Sequence, residues 1–475
     1  MSIIIPANSA VGGGFEVSNS CRFDGSSSKL VKAESAGNRQ RWTYSVWLKR
    51  SAITTTTTTF FASSDGSNLY SYLGIQSDKI RWLDYDGGNN SNLITSAVFR
   101  DPSAWYHIVF AFNSNLGSGE TDKAERTKLY INGVRVTSFG TAAYAGHNQD
   151  SGVNVNSSNF IIGSNQAQSS ASTWNGYMAE AHFIDGTAYQ ADSFGEFDSD
   201  SGVWKPIEVS GLTYGTNGFY LDFKDGDNLG NDANGGTDFT ESGLAAIDQT
   251  TDTCTNNFVT MNPIDNYYAS SVFSNGNLTV VTNSSARTWN NSTIGLTSGK
   301  YYCEMKSVGV GAGALIGIIA TSPNSTTNRA DNNPYAWVYL NGGSLKNNGS
   351  TQSGTWASWA ASDIIGMALD LDNNKIYFSK NGTWQNTGTA NPSTGTDGFA
   401  ITAVSSLPAT QAGCYFIVCS DDSTSNNATF DWNFGSPSFA ISSGNADGNG
   451  YGNFEYAVPT GYFAICTKNL SEALS

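Results

Sequence analysis

DLDNNKIYFSKNGTWQNTG, Asp370 to Gly388, is the stretch that decides the fold: an apolar run led by Lys375 enters Asn381-Gly382, and a second run leaves it. Asn-Gly takes up positive φ readily and so suits the tight turn of an antiparallel hairpin. About 250 residues earlier RTKLYINGVRVTSF, Arg126 to Phe139, has the same form, with Lys128-Leu129-Tyr130-Ile131 running into Asn132-Gly133. Two hairpins of one design at that separation imply two β domains. The length agrees, since 475 residues exceed one ordinary core.

The flanking sequence repeats the strand pattern. In RWTYSVWLKRS, Trp42, Tyr44, Val46 and Leu48 share one face and Thr43, Ser45, Trp47 and Lys49 the other. That period of two predicts a half-buried strand. AWYHIVFAF (104–112), NFIIGS (159–164) and WNGYMAEAHFIDG (174–186) continue it, with Gly, Asn and Asp between. A second series runs through NGNLTVV (275–281), GKYYCEMKSV (299–308), ALIGIIA (314–320), YAWVYLNGG (335–343), CYFIVCS (414–420) and ATFDWNFG (428–435). Helical periodicity is nearly absent. The expected fold is therefore all-β, two tandem antiparallel β-sandwiches of jelly-roll type. The expected division is an N-terminal arm over 1–14, a first sandwich over 15–210, a turn-rich connector over 211–262 that holds one strand at 218–223 and partly packs on the first sandwich, a second sandwich over 263–440 and a closing segment over 441–475.

Charge and composition exclude several function classes. A net charge of −16, with Lys and Arg scattered singly, would repel a phosphate backbone, so nucleic acid is excluded as a partner. MSIIIPANSAVGGGF lacks the charged and apolar regions of a signal peptide, and no run approaches the roughly 18 apolar residues of a membrane helix. The expectation is synthesis in the cytoplasm without membrane insertion. The six cysteines show no CxxC pair and read as buried free thiols. Asn-x-Ser/Thr triplets such as Asn291-Ser292-Thr293 read as turn chemistry.

Family resemblances follow from phrases in order. WTYSVWLKR, DPSAWYHIVFAF, KLYINGVRV and GYMAEAHFIDG resemble the laminin G-like, concanavalin A-like lectin group over roughly residues 15 to 210. GKYYCEMKSV, IGIIA, DIIGMALDLDNNKIYFSKNGTWQ and WNFGSPSF resemble a SPRY domain. Their pairing, with FIDGTAYQADSFGE, YGTNGFYLDF and VPTGYFAICTKNL, is similar to virion fibre or adhesin proteins of tailed phages. The lectin likeness implies glycan or protein binding at loop tips, often with calcium. The SPRY likeness implies a protein-binding module without catalysis. The phage likeness implies a virion location, other virion proteins as partners and a homo-oligomer, often a trimer. No coiled-coil heptads enforce threefold assembly.

Each candidate site has a competing structural role. Asp222, Asp225, Asp227, Asn228, Asp232, Asn234 and Asp238 give the oxygen-rich composition calcium prefers, but their spacing is not that of an EF-hand loop, and turn formation is the competing reading. Glycosidases of the lectin-like fold need carboxylates about 5 to 5.5 Å apart. Such enzymes commonly carry these groups as E-x-D-x-x-E on one strand face, and the nearest phrases, Glu180 to Asp185 and Glu196-Phe197-Asp198, lack the third carboxylate in register. His107 and His182 fall inside strands and His147 in a loop, none beside an evident nucleophile. Sugars stack on exposed rings, so the tryptophans in turn-rich segments, Trp174, Trp289, Trp356, Trp359 and Trp384, are the candidate ligand contacts. The resulting expectation is a non-catalytic recognition and structural protein of a phage particle, with no catalytic residue. The alternatives are a purely architectural virion subunit and a polysaccharide depolymerase.

Overall fold

The computed structural model describes residues 14–165, 172–268, 270–311, 313–321, 330–423 and 426–472. The arm expected over 1–14 lies outside these residues except for Gly14. Described residues up to Asn256 form one compact unit and those from Asn257 onward a second.

The first unit is a sandwich of two antiparallel sheets. One runs Val134–Arg135, Thr127–Ile131, Trp105–Asn113, Arg41–Arg50, Asn175–Asp185, Ser20–Asp24, Gln249–Thr250, with Phe219–Leu221 beside Asn175–Asp185. The other runs Phe139–Ala143, Asn89–Thr95, Lys79–Asp86, Leu69–Gln76, Thr58–Ser64, Asn159–Ile162, Lys29–Ala33, Thr240–Ser242. Their facing sides meet in an aromatic core of Trp42, Tyr44, Phe61, Trp82, Phe110, Phe160 and Phe183. Each such ring withdrawn from water contributes on the order of 2–3 kcal/mol before ordering costs.

Two expectations change here. The strand Arg41–Arg50 is buried on both faces instead of one. Its outer residues are covered by chain arriving from 187–214: Thr43 donates its hydroxyl to Thr187 O, and Trp47 is buried in a cluster with Phe194 and Trp204. The turn-rich stretch 211–262 is more than a connector that partly packs on the first sandwich. Phe219–Leu221, Thr240–Ser242 and Gln249–Thr250 extend both sheets of the first sandwich, and Gln249–Thr250 pairs with Ser20 and Cys21 near its start. From Asn257 the chain already belongs to the second unit, where Val259 N donates to Ile465 O.

The second unit is again a sandwich. Its first sheet runs Met261–Tyr268, Thr288–Ser292, Phe416–Asp421, Ala314–Ile319, Ala336–Leu340, Ser344–Asn347, Ser350–Thr351. Its second runs Val272–Ser274, Thr279–Val281, Thr429–Asn433, Lys300–Gly309, Ile364–Asp370, Lys375–Lys380, Thr383–Trp384, with Phe399–Ala400 beside Lys375–Lys380. Met305, Ile316, Trp337, Tyr339, Phe378 and Trp432 lie in the core between them. The outer face of the second sheet, with Tyr302 and Tyr377, is covered by the late segment carrying Phe454, Tyr462, Ala464 and Cys466. Thr429–Asn433 leaves its edge of Lys300–Gly309 at Glu304, and Phe463–Ala464 takes the same edge opposite Tyr301 and Tyr302. Among the described residues this is the one parallel pair of strands. A short helix, Thr467–Glu472, follows it. All six cysteines are buried.

Candidate functional site

The densest set of chemistry-bearing side chains lies on the outer face of the first unit's sheet, where alternation brings Ser45, His107, Glu180 and His182 together. Ser45 Oγ is 2.9 Å from His107 Nε2, a distance that suits a nucleophile and its base. The other ring nitrogen settles the roles. Trp204 Nε1 donates to His107 Nδ1 at 3.0 Å, and an indole N–H is donor only. Burial pushes the His107 pKa down to about 3, so the ring is neutral, its proton sits on Nε2, and Ser45 Oγ accepts. A general base would present a lone pair there. The pair has the opposite polarity.

His182 is similarly held. Its Nδ1 lies 2.7 Å from the Tyr214 hydroxyl, and its ring stacks on Tyr220 at 4.1 Å. Glu180 sits at φ +49 in a bulge of Asn175–Asp185, where pairing skips from Ala179 to His182, and accepts from the Tyr220 hydroxyl at 2.7 Å. Burial raises Glu180 to about 7. The gap between these groups is too narrow to admit a water molecule. Asp185 accepts from Asn38 N, Asn154 Nδ2 and Asn217 N, while Glu196 and Asp198 both hold Lys205. Glu34 accepts from Ser63 Oγ and from Asn154 N, and burial raises it to about 8. These carboxyls tie covering loops to the sandwich.

The aspartates read as calcium ligands are dispersed among N–H donors. Asp225 accepts from Asp227 N, and Asp227 itself is exposed. Asp232 is buried, accepting from Tyr220 N and Asn234 N with Lys32 Nζ at 3.1 Å. Asp238 accepts from Asn228 Nδ2 and Asp232 N, and Asp222 accepts from Lys224 N and pairs with its ammonium. Among the described residues no three carboxylate, His or Cys groups converge as a metal site. The physical reason is the turn geometry itself, which points the carboxylates of Asp222, Asp225, Asp232 and Asp238 at nearby backbone N–H groups.

Of the five candidate tryptophans, three are corrected by burial. Trp174, Trp289 and Trp359 are 1%, 5% and 3% exposed, so none offers a face to a ligand. Trp174 meets Phe60 edge-on, and Trp289 donates to Asn291 Oδ1. Trp356 and Trp384 are half-buried. Trp356 packs with Tyr339 and Phe378 on the inner face of Lys375–Lys380, and Trp384 with Tyr302 and Tyr377 on its outer face. Lying on opposite faces, they do not make one platform.

The second unit holds an open cleft of about 360 Å³ that the candidate tryptophans did not mark. Ser298 and Lys300 at the head of Lys300–Gly309, Asp372 in the turn after Ile364–Asp370, Asn449, Phe463 and Asn469 line it. Lys300 Nζ pairs with Asp370 at 3.1 Å and lies over the Tyr462 ring. Asp372 Oδ1 accepts from Gly299 N at 2.7 Å. Asn469 Nδ2 donates to Asp447 Oδ2 and Ala464 O, and its Oδ1 accepts from Asn449 Nδ2. In GYFAICTKNL the apolar letters predict a closing segment and hide the cleft. The available signal is the Gly461-Tyr462-Phe463 step, in which Tyr462 is buried while Phe463 stays half-exposed.

Comparison with known proteins agrees with these two architectures. Residues 23–192 match the concanavalin A-like lectin/glucanases superfamily, and residues 300–420 match the SPRY domain. The chain thus carries a concanavalin A-like lectin/laminin G domain followed by a SPRY domain. No curated protein matches it. Similar solved structures include the SPRY domain of human HERC1, 18% identical with TM-score 0.28 over 36% of this chain and 96% of that one. A native heptameric SAP-like pentraxin from Limulus polyphemus is 13% identical with TM-score 0.29, over 43% and 94%. A candidate carbohydrate binding protein from Bacteroides ovatus ATCC 8483 is 16% identical with TM-score 0.31, over 48% and 58%.

Proposed function

We propose that this chain is a recognition and structural subunit of a phage particle, a tail or head fibre or decoration protein that binds host-surface glycan or protein and catalyses no reaction. It is made in the host cytoplasm, resides in the virion and assembles with other virion proteins as a homo-oligomer. The observation that carries the reading is the succession of two recognition folds in one chain, a lectin-like sandwich and a SPRY domain. The reversed polarity of the Ser45–His107 pair supports its non-catalytic side.

Labelled chain applied to host and non-host cells tests the proposal. Staining of host cells alone is expected, and equal absence of staining on both overturns the recognition role. Release of sugar fragments from host envelope polysaccharide would overturn the non-catalytic part. A map of the intact particle is expected to place the chain at an exposed position.

A further inference from the structure

We infer that the cleft between Ser298, Asp372 and Phe463 is a saccharide subsite in the SPRY domain, shaped for one or two pyranose rings of a neutral or amino sugar. The inference deepens the recognition reading above and rests on it for biological meaning, though the cleft is testable by itself. A volume of about 360 Å³ lies at the small end of ligand sites. Its lining combines the two features a sugar requires. Phe463 leaves a ring half-exposed for a C–H face, and the exposed Asp372 carboxylate stands beside it to accept from hydroxyls.

The charge balance selects the class of sugar. The Lys300 ammonium is committed to Asp370, whereas Asp372 has no cationic partner among the described residues. The cleft therefore presents net negative charge, on a chain of net charge −16, and disfavours uronic and other acidic sugars. Hydroxyl or ammonium donors satisfy Asp372. Its lining is also held in place before a ligand arrives: Asp372 is fixed by Gly299 N, and Asn469 by Asp447 and Ala464 O. Preorganisation of this kind lowers the ordering cost of binding.

Saturation-transfer NMR and calorimetry on the full chain, with glucose, N-acetylglucosamine, glucosamine and glucuronic acid as probes, test the inference. The neutral and amino sugars are expected to bind with Kd of about a millimolar, and glucuronic acid at least tenfold more weakly. Asp372→Asn keeps the acceptor for Gly299 N and removes the charge. It and Phe463→Ala are each expected to weaken binding at least tenfold, while Val134→Ala, at an exposed position of the first unit, leaves it unchanged. Silence of the whole panel, equal binding of glucuronic acid, or unchanged affinity in Asp372→Asn overturns the inference. Host-cell staining with a silent panel defeats the subsite alone, and panel binding without host-cell staining defeats the recognition role alone.

Discussion

The two Asn-Gly hairpins, read side by side, are the same device carrying different loads. Asn132 and Asn381 share φ +47, and Gly133 and Gly382 follow at +76 and +79. Each Asn side chain accepts from the N–H of a neighbouring strand, His107 in one case and Ile364 in the other, and each Asn N–H donates to the carbonyl of that same residue. Each Gly then receives an aromatic ring from a later segment that covers the sheet. A Cβ on Gly133 would come within 2.2 Å of the Trp204 ring, and one on Gly382 within 2.7 Å of the Tyr456 ring. The fastening differs. Trp204 is buried and its indole reaches His107, whereas Tyr456 is half-buried and is held through its backbone N–H, which donates to the buried Glu304 at 2.8 Å. One cover is fixed by a side chain, the other by a carboxyl under the chain.

That distinction can be broken by substitution. Trp204→Ala removes a buried ring and leaves His107 Nδ1 without its donor, so urea unfolding of the first unit should show a loss of about 3–5 kcal/mol. Tyr456→Ala should cost the second unit only about 1 kcal/mol, and equal losses would erase the contrast. Glu304→Ala is the counterpart of Trp204→Ala. It strands Glu455 N and Tyr456 N and should cost about 2–3 kcal/mol, with new protease cleavage within 441–466. Gly133→Ala and Gly382→Ala should each cost about 1–3 kcal/mol from the left-handed backbone, with Gly133→Ala the more damaging because its neighbour is a fixed indole.

A further contrast concerns acid. All three histidines belong to the first unit, and burial holds two of them, His107 and His182, near pKa 3. Below about pH 6.5 the unfolded chain takes up protons that the folded unit refuses, so this contribution to stability falls as pH drops from about 6.5 toward 3. Glu180 and Glu34 run the other way: raised to about 7 and 8, they hold protons that the unfolded chain releases above about pH 4.5, so stability falls as pH climbs through that window. The advantage of the wild-type chain over His107→Gln, measured by urea unfolding, should therefore shrink as pH is lowered from 6.5. A constant advantage would show that His107 titrates alike in both states.

Long alternating strands were legible in the sequence because one apolar face imposes a period of two; Arg41–Arg50 and Lys375–Lys380 are read directly from it. The strand read over 218–223 is present as Phe219–Leu221, but strands of two or three residues carry no period, which is why Thr240–Ser242 and Gln249–Thr250 passed for a connector. Burial of the outer face of Arg41–Arg50 was invisible for a related reason, since it depends on chain more than 130 residues away. Turn-rich surroundings were a poor guide to ring exposure: Trp174 stands one residue before a central strand and goes into the core with Phe60. The cleft escaped because its walls come from three distant places, near Lys300, Asp372 and Phe463, with no motif joining them.

The pairing of Phe463–Ala464 with the head of Lys300–Gly309, and of Gln249–Thr250 with Ser20–Asp24, also sets a clock on biosynthesis. In each unit a strand translated early waits for a partner translated some 160 to 230 residues later. At ribosomal speeds of about 5–20 residues per second, an edge of sheet stays open for roughly ten seconds or more. Neither sandwich completes its sheets until these late strands emerge, and for that interval the waiting edge is open to pairing with another chain.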